Sequence, residues 1–106
     1  STDITTNAGK NVHLSLCPNP SHLETVNGVV EGMSRSKIDF KYGGDNNRLA
    51  PILIHGDASV AGQGIVYEVL QMSDLRGYHT GGTIHFVINN QIAIWRTISY
   101  FIYNRI

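Results

Sequence analysis

Cysteine is nearly missing from this chain. Cys17 is alone among 106 residues, which excludes an internal disulfide framework and a thiolate metal cluster and makes a reducing, intracellular setting the simpler expectation. Charge of one sign is missing too. Lys plus Arg and Asp plus Glu number eight each, for a formal net charge of +0, so no net field draws the chain to nucleic acid or to an anionic membrane. Any binding has to come from a local site. No run approaches the roughly 18 apolar residues that a membrane-spanning helix requires. Ser1 to Asn11 lacks a basic start followed by an apolar core, so no signal peptide is expected, and the lack of an initiator Met suggests a segment of something longer. What is present suffices for one ordinary domain with its own core, not for two.

Taken in order, Ser1 to Lys10 is polar with a single Ile and reads as a loop or frayed terminus. Val12 to Leu16 alternates apolar and polar residues, the period of a strand with one buried face. Cys17-Pro18-Asn19-Pro20 then stops regular structure, because two prolines remove donors and push the residues before them out of the helical region. Ser21 with Glu24 three residues on has the spacing of a capping box, which predicts a helix starting there. Leu23, Val26, Val30 and Met33 form its apolar stripe, with Glu24, Asn27 and Glu31 away from it and a break expected near Gly28. Arg35 and Lys37 suit its C-terminal turn. Lys41 to Arg48, rich in Gly, Asp and Asn, reads as a flexible polar connection.

Pro51 to Ile54 is a continuous apolar run, the pattern of a strand covered on both faces in a parallel sheet. A crossover helix should follow: Ile65, Val66, Val69, Leu70 and Met72 give its stripe, Arg76 its last turn and Gly77 the position just beyond. Thr83 to Asn89 then reads as a second strand, with Ile84, Phe86 and Ile88 on one face and Thr83, His85 and Val87 on the other. The expected class is α/β, parallel strands joined by a crossover helix.

That topology carries a functional inference. Parallel neighbours end along one edge of their sheet, and ligands of open α/β sheets bind outside that edge. Asp57 ends the first strand and Asn90 the second. A carboxylate and an amide oxygen, helped by a backbone carbonyl, suit Mg²⁺, which prefers oxygen donors and completes its octahedron with water and phosphate. Gly62 and Gly64 leave a ligand room to approach backbone at the following helix, and Gly56 allows the strand end to turn sharply. Each residue also has an ordinary structural explanation: Asp57 as a strand-end carboxylate, Asn90 as a turn residue. The five histidines show no metal-ligand spacing. His22 and His55 are candidates for lining the active-site region, while His13, His79 and His85 read as structural, as do Cys17 and Glu68.

Six blocks extend this reading: Val12 to Leu16, Asn19 to Glu24, His55-Gly56-Asp57-Ala58, Ala61 to Gly64, Met72 to Leu75, and Val87 to Ile92. Their order and spacing resemble the central segment of the dehydrogenase component of the 2-oxoglutarate dehydrogenase complex, over about Asn11 to Ile92. The resemblance implies a partial thiamine-diphosphate-binding fold. It implies that Asp57, the Asn90 side chain and the Ile92 carbonyl hold Mg²⁺ on the cofactor's diphosphate, with Ala58 and Ser59 contacting thiamine diphosphate nearby. It further implies oxidative decarboxylation of 2-oxoglutarate, succinyl transfer to a lipoyl-bearing succinyltransferase partner, and a homodimer for the full-length parent. The expected location is the bacterial cytoplasm, or otherwise the mitochondrial matrix. The ring-activating glutamate and the second half of the pocket lie elsewhere in family members, so the isolated segment should not catalyse. Two alternatives remain: another 2-oxo acid dehydrogenase, or a non-catalytic α/β binding or interaction module.

Residues 93–106 depart from that pattern. Four of the nine aromatic residues fall in these fourteen positions, and the division expected is a cofactor-domain segment over 1–92 followed by an atypical tail over 93–106.

Overall fold

In the computed structural model the described residues are 1–73 and 75–89, together with the backbone of the strand at 101–104. The N-terminal stretch forms a hairpin where a loop was expected: β1 (Thr2–Thr5) pairs antiparallel with β2 (Asn11–Leu14). Gly9, at φ 73°, supplies the left-handed residue of the connecting turn, and the amide of Thr6 donates to Lys10 O at 2.8 Å. Asp3 and His13 face each other across the pair with 2.7 Å between their side chains. The buried face expected for Val12 to Leu16 does not form. All residues of both strands are exposed, because the ribbon is held by its own ladder and no described residue covers it.

The first helix also differs from its sequence signature. α1 spans Val26–Lys41 and starts after the Ser21–Glu24 pair, not at it. Glu24 adopts φ 67°, a left-handed conformation that no helix continues through, and its carboxylate reaches into the molecule instead of back to Ser21. From Val26 the helix runs unbroken through Gly28 and Gly32. Its buried residues are Asn27, Ser34 and Ile38, whereas Leu23 and Met33 of the expected apolar stripe are exposed. The surface beneath α1 mixes His55, Thr83 and His85 with apolar residues, so the helix turns to it polar side chains as well as Ile38. Arg35 and Lys37 lie in mid-helix, and Lys41 occupies the last turn. A short 3₁₀ turn at Asn46–Arg48, capped by the Asp45 carboxylate, interrupts the connection that follows.

The central element is as the topology argument requires. β3 (Ile52–Gly56) and β4 (Thr83–Ile88) are parallel neighbours, in register from Ile52 opposite Ile84 to Gly56 opposite Ile88. β5 (Phe101–Asn104), within the stretch set apart as atypical, adds to the far side of β4 in antiparallel sense. The crossover comes in two helices, α2 (Asp57–Gly62) and α3 (Gly64–Met72), separated at Gln63 in extended conformation. α3 ends at Met72, so Arg76 and Gly77 lie beyond it in a turn. Gly81, at φ 86°, sits so close to Asn46 that a Cβ would come within 2.5 Å of that side chain, which ties the loop before β4 to the 3₁₀ turn.

Among the described residues β3 is covered on one face only. Leu53, His55, Thr83 and His85 are buried under α1 and α3, together with Val66 and Val69 of α3 and Ile38 of α1. On the reverse face Ile52, Ile54, Phe86 and Ile88 are exposed, by 43 to 70%. The continuous apolar run predicts two covered faces; the strand instead has one buried face of mixed polarity and one exposed apolar face, with the alternation carried by exposure.

Candidate functional site: the carboxyl edge of the parallel pair

The register of β3 and β4 fixes where the site lies. Gly56 stands opposite Ile88, so Asp57 and Asn89 leave the sheet at the same edge. Asp57 is 4% exposed, and its Oδ2 has no hydrogen-bond partner among the described residues. A buried carboxylate oxygen without a donor is costly, and native structures rarely leave one without an ion or water to meet it. The donor chemistry therefore fits a divalent cation at this edge. Asn90 and Ile92, the other expected metal ligands, lie outside the described residues. Ala58 is exposed on the first turn of α2 and Ser59 is buried one residue further on. A Cβ at Gly62 or Gly64 would meet nothing within 4 Å, so the backbone between the two helices is open to approach.

Behind Asp57 lies a buried polar network that the spacing of the helix residues does not signal. Its hub is Glu24. The Ser59 hydroxyl donates to Glu24 Oε1 at 2.5 Å, with the Gly56 carbonyl 2.8 Å away. Asn27 Nδ2 donates to Glu24 Oε2 at 2.8 Å, and His55 Nδ1 lies 2.5 Å from the same oxygen. The chain of contacts continues from His55 Nε2 to His85 Nδ1 at 2.9 Å, with the two rings stacked 11° from parallel. Burial opposes the charge on Glu24. The hydrogen bonds from Ser59, Asn27 and His55, with the His55 charge, outweigh it and hold the carboxyl below its ordinary range. For His85, burial and the neighbouring His55 both disfavour the proton and lower its pKa, against a weaker pull from Glu24.

The structure thus separates the sequence candidates. His55 joins the network directly beneath Asp57, while His22 is exposed, its Nδ1 2.9 Å from Thr25 Oγ1. His85, read as structural, is the inner end of the same network. It also lines a cavity of about 330 Å³ between α1 and α3. Glu31 lines that cavity as well, accepting from Thr80 and Thr83 at 2.7 and 2.8 Å. The spacing relative to Leu23 and Met33 predicts that Glu24, Asn27 and Glu31 lie away from the buried stripe, whereas Glu24 and Asn27 are buried and Glu31 lines the cavity. The mixed polarity of the Thr83-His85 face was the available signal that polar helix residues would turn inward.

A parallel pair with a split crossover helix and a buried, unsatisfied carboxylate at its carboxyl edge defines a piece of an α/β domain of the ligand-binding type. Comparison with known sequences makes this specific. The chain belongs to the dehydrogenase E1 component family, which matches residues 6–99, a family of thiamine-diphosphate-dependent oxidoreductases. It is 51% identical over 98 residues to the mitochondrial 2-oxoglutarate dehydrogenase of Dictyostelium discoideum, covering 92% of this chain and 10% of that protein. Against the 2-oxoglutarate dehydrogenase E1 component of Azotobacter vinelandii it is 51% identical over 93 residues, 88% of this chain and 10% of the relative. The oxoglutarate dehydrogenase of Buchnera aphidicola matches at 53% over 84 residues, 79% and 9% respectively. The chain spans about a tenth of the length of these relatives. Among the described residues no helix is long and apolar enough to cross a membrane.

Proposed function

We propose that this chain is the diphosphate-anchoring segment of a 2-oxoglutarate dehydrogenase E1 component. The observation that carries the reading is Asp57: a buried carboxylate with one unsatisfied oxygen, at the edge where two parallel strands of a family segment end together. In this reading Asp57, the Asn90 side chain and the Ile92 carbonyl hold Mg²⁺, and the metal holds the diphosphate of thiamine diphosphate. Ala58 and Ser59 belong to the same cofactor-binding turn, Ala58 on its exposed side and Ser59 bracing it from within. When bound, the cofactor supplies the electron sink for decarboxylating a 2-oxo acid. This chain's residues bind and orient it. The substrate of the whole protein is 2-oxoglutarate and its acyl acceptor a lipoyl-bearing succinyltransferase, in keeping with the names of the relatives. The whole protein works as a homodimer, and the isolated segment does not turn over.

Calorimetric titration of the chain with thiamine diphosphate tests the anchor. Heat of binding should depend on Mg²⁺ and be lost in Asp57→Ala. Equal binding by Asp57→Ala would remove the metal assignment. No magnesium-dependent binding at millimolar cofactor would leave the chain as a family-derived α/β module without the anchoring role.

A further inference from the structure

Glu24 takes no direct part in the metal anchor, and its situation is unusual. It is a non-glycine residue at φ 67°, it is 7% exposed, and it carries a carboxylate into the interior. Left-handed backbone at such a residue is disfavoured and persists where the surroundings over-determine it. A buried carboxylate needs several donors to be tolerated. Both demands are met by residues that bracket one position: His55 stands two residues before Asp57 and Ser59 two after. The Ser59 hydroxyl also lies 2.8 Å from the carbonyl of Gly56, the last residue of β3. One carboxylate therefore grips both sides of the strand-to-helix turn that presents Asp57.

We propose that Glu24 is the positioning residue of this site: its two oxygens clamp His55 and Ser59 and thereby fix the β3–α2 turn that aims Asp57. This rests on the anchor reading for its purpose but not for its geometry. An ionised carboxylate only accepts hydrogen bonds, so His55 Nδ1 carries a hydrogen and donates to Glu24 Oε2. In the neutral imidazole that leaves Nε2 as acceptor for the Nδ1 hydrogen of His85. Glu24 thus sets one tautomer for His55 and, through it, one for His85. Asn27, at the start of α1, donates to the same oxygen and ties the clamp to the helix.

Three substitutions of Glu24, each with two readouts, test the clamp. Glu24→Ala removes both arms. Glu24→Asp keeps the charge but is one methylene too short to reach His55 and Ser59 together. Glu24→Gln keeps the length: its amide oxygen can accept from Asn27 and His55 while its amino group donates to the Ser59 oxygen. The first readout is the long-range proton–nitrogen NMR spectrum of the imidazoles in the ligand-free chain at mildly alkaline pH. The wild type and Glu24→Gln should show His55 protonated at Nδ1. Glu24→Asp and Glu24→Ala should show mixed His55 tautomers and displaced amide signals at Asp57 and Ser59.

The second readout is magnesium-dependent binding of thiamine diphosphate, weakened about tenfold or more in Glu24→Asp and Glu24→Ala, the scale of effect for residues that orient metal ligands, and nearly restored in Glu24→Gln. Unchanged tautomers and Asp57 amide signals in Glu24→Asp would overturn the proposal, as would a loss of cofactor binding in Glu24→Gln as large as in Glu24→Ala. If Glu24→Ala does not fold, the Asp and Gln variants still decide. Absence of cofactor binding in the wild type tells against the anchor, and the imidazole spectra then judge the clamp independently.

Discussion

Glu24 and His85 both bear on how the chain responds to acid. Each has a pKa lowered by folding, from ordinary values of 4.5 and 6.5. A group with a depressed native pKa binds fewer protons folded than unfolded, so stability falls as pH drops. The loss should begin below about 6.5, where unfolded His85 takes a proton that the buried ring resists. It should deepen below about 4.5, where Glu24 of the unfolded chain takes a proton that the folded, hydrogen-bonded carboxylate refuses until a lower pH. Urea unfolding across this range should show a midpoint declining in two stages, and Glu24→Gln should abolish the lower one. A flat profile from neutral pH down to 4 would contradict both assignments. Little at the residue scale was legible beforehand except Asp57. Its position at the end of an apolar run is a local fact, whereas the burial of Glu24 depends on His55 and Ser59, 31 and 35 residues away, contacts that no spacing rule near Ser21 encodes.

Elements were legible where one pattern dominated. The strand, crossover and strand between Ile52 and Ile88 follow from β-branched runs flanking a helical stripe, and their parallel pairing follows from the length of the connection. α1 starts later than the capping-box pattern predicts because that pattern competes with a tertiary use for the same glutamate. Its inward face was misassigned because apolar spacing identifies the buried side of a helix only when the surface beneath is apolar. Here that surface offers His55, Thr83 and His85, and the apolar anchor of α1 is Ile38, 0% exposed. Ile38→Ala should lower stability by about 2–5 kcal/mol, the range for a buried aliphatic truncated to alanine, measured as a shift of the urea midpoint. Met33→Ala, on the exposed stripe, should change it by less than about 0.5 kcal/mol. Comparable losses at the two positions would mean that α1 is rotated relative to this description.

For the whole molecule, the consequential fact is that the sheet has two unlike faces. One carries the clamp, the histidine pair and two helices; the other presents Ile52, Ile54, Phe86 and Ile88 to solvent. Contiguous exposed apolar surface of this kind drives association. The chain should therefore sediment as concentration-dependent oligomers, and Ile54→Glu should shift it toward monomer without altering the His55 tautomer. A monomeric wild type at high micromolar concentration would show that the face tolerates water. The two faces are kept apart by parity. Side chains alternate along β3, so each face is the set of even or odd positions between Ile52 and Gly56. Inserting one residue between Pro51 and Leu53 would exchange the sets, carrying the isoleucines under the helices and His55 into the open, whereas inserting two would restore each side chain to its side. A single insertion should therefore turn the His55 ring out to solvent, whereas a double insertion should keep it on the buried face though shifted along the strand from Glu24, a difference that the imidazole spectra would show.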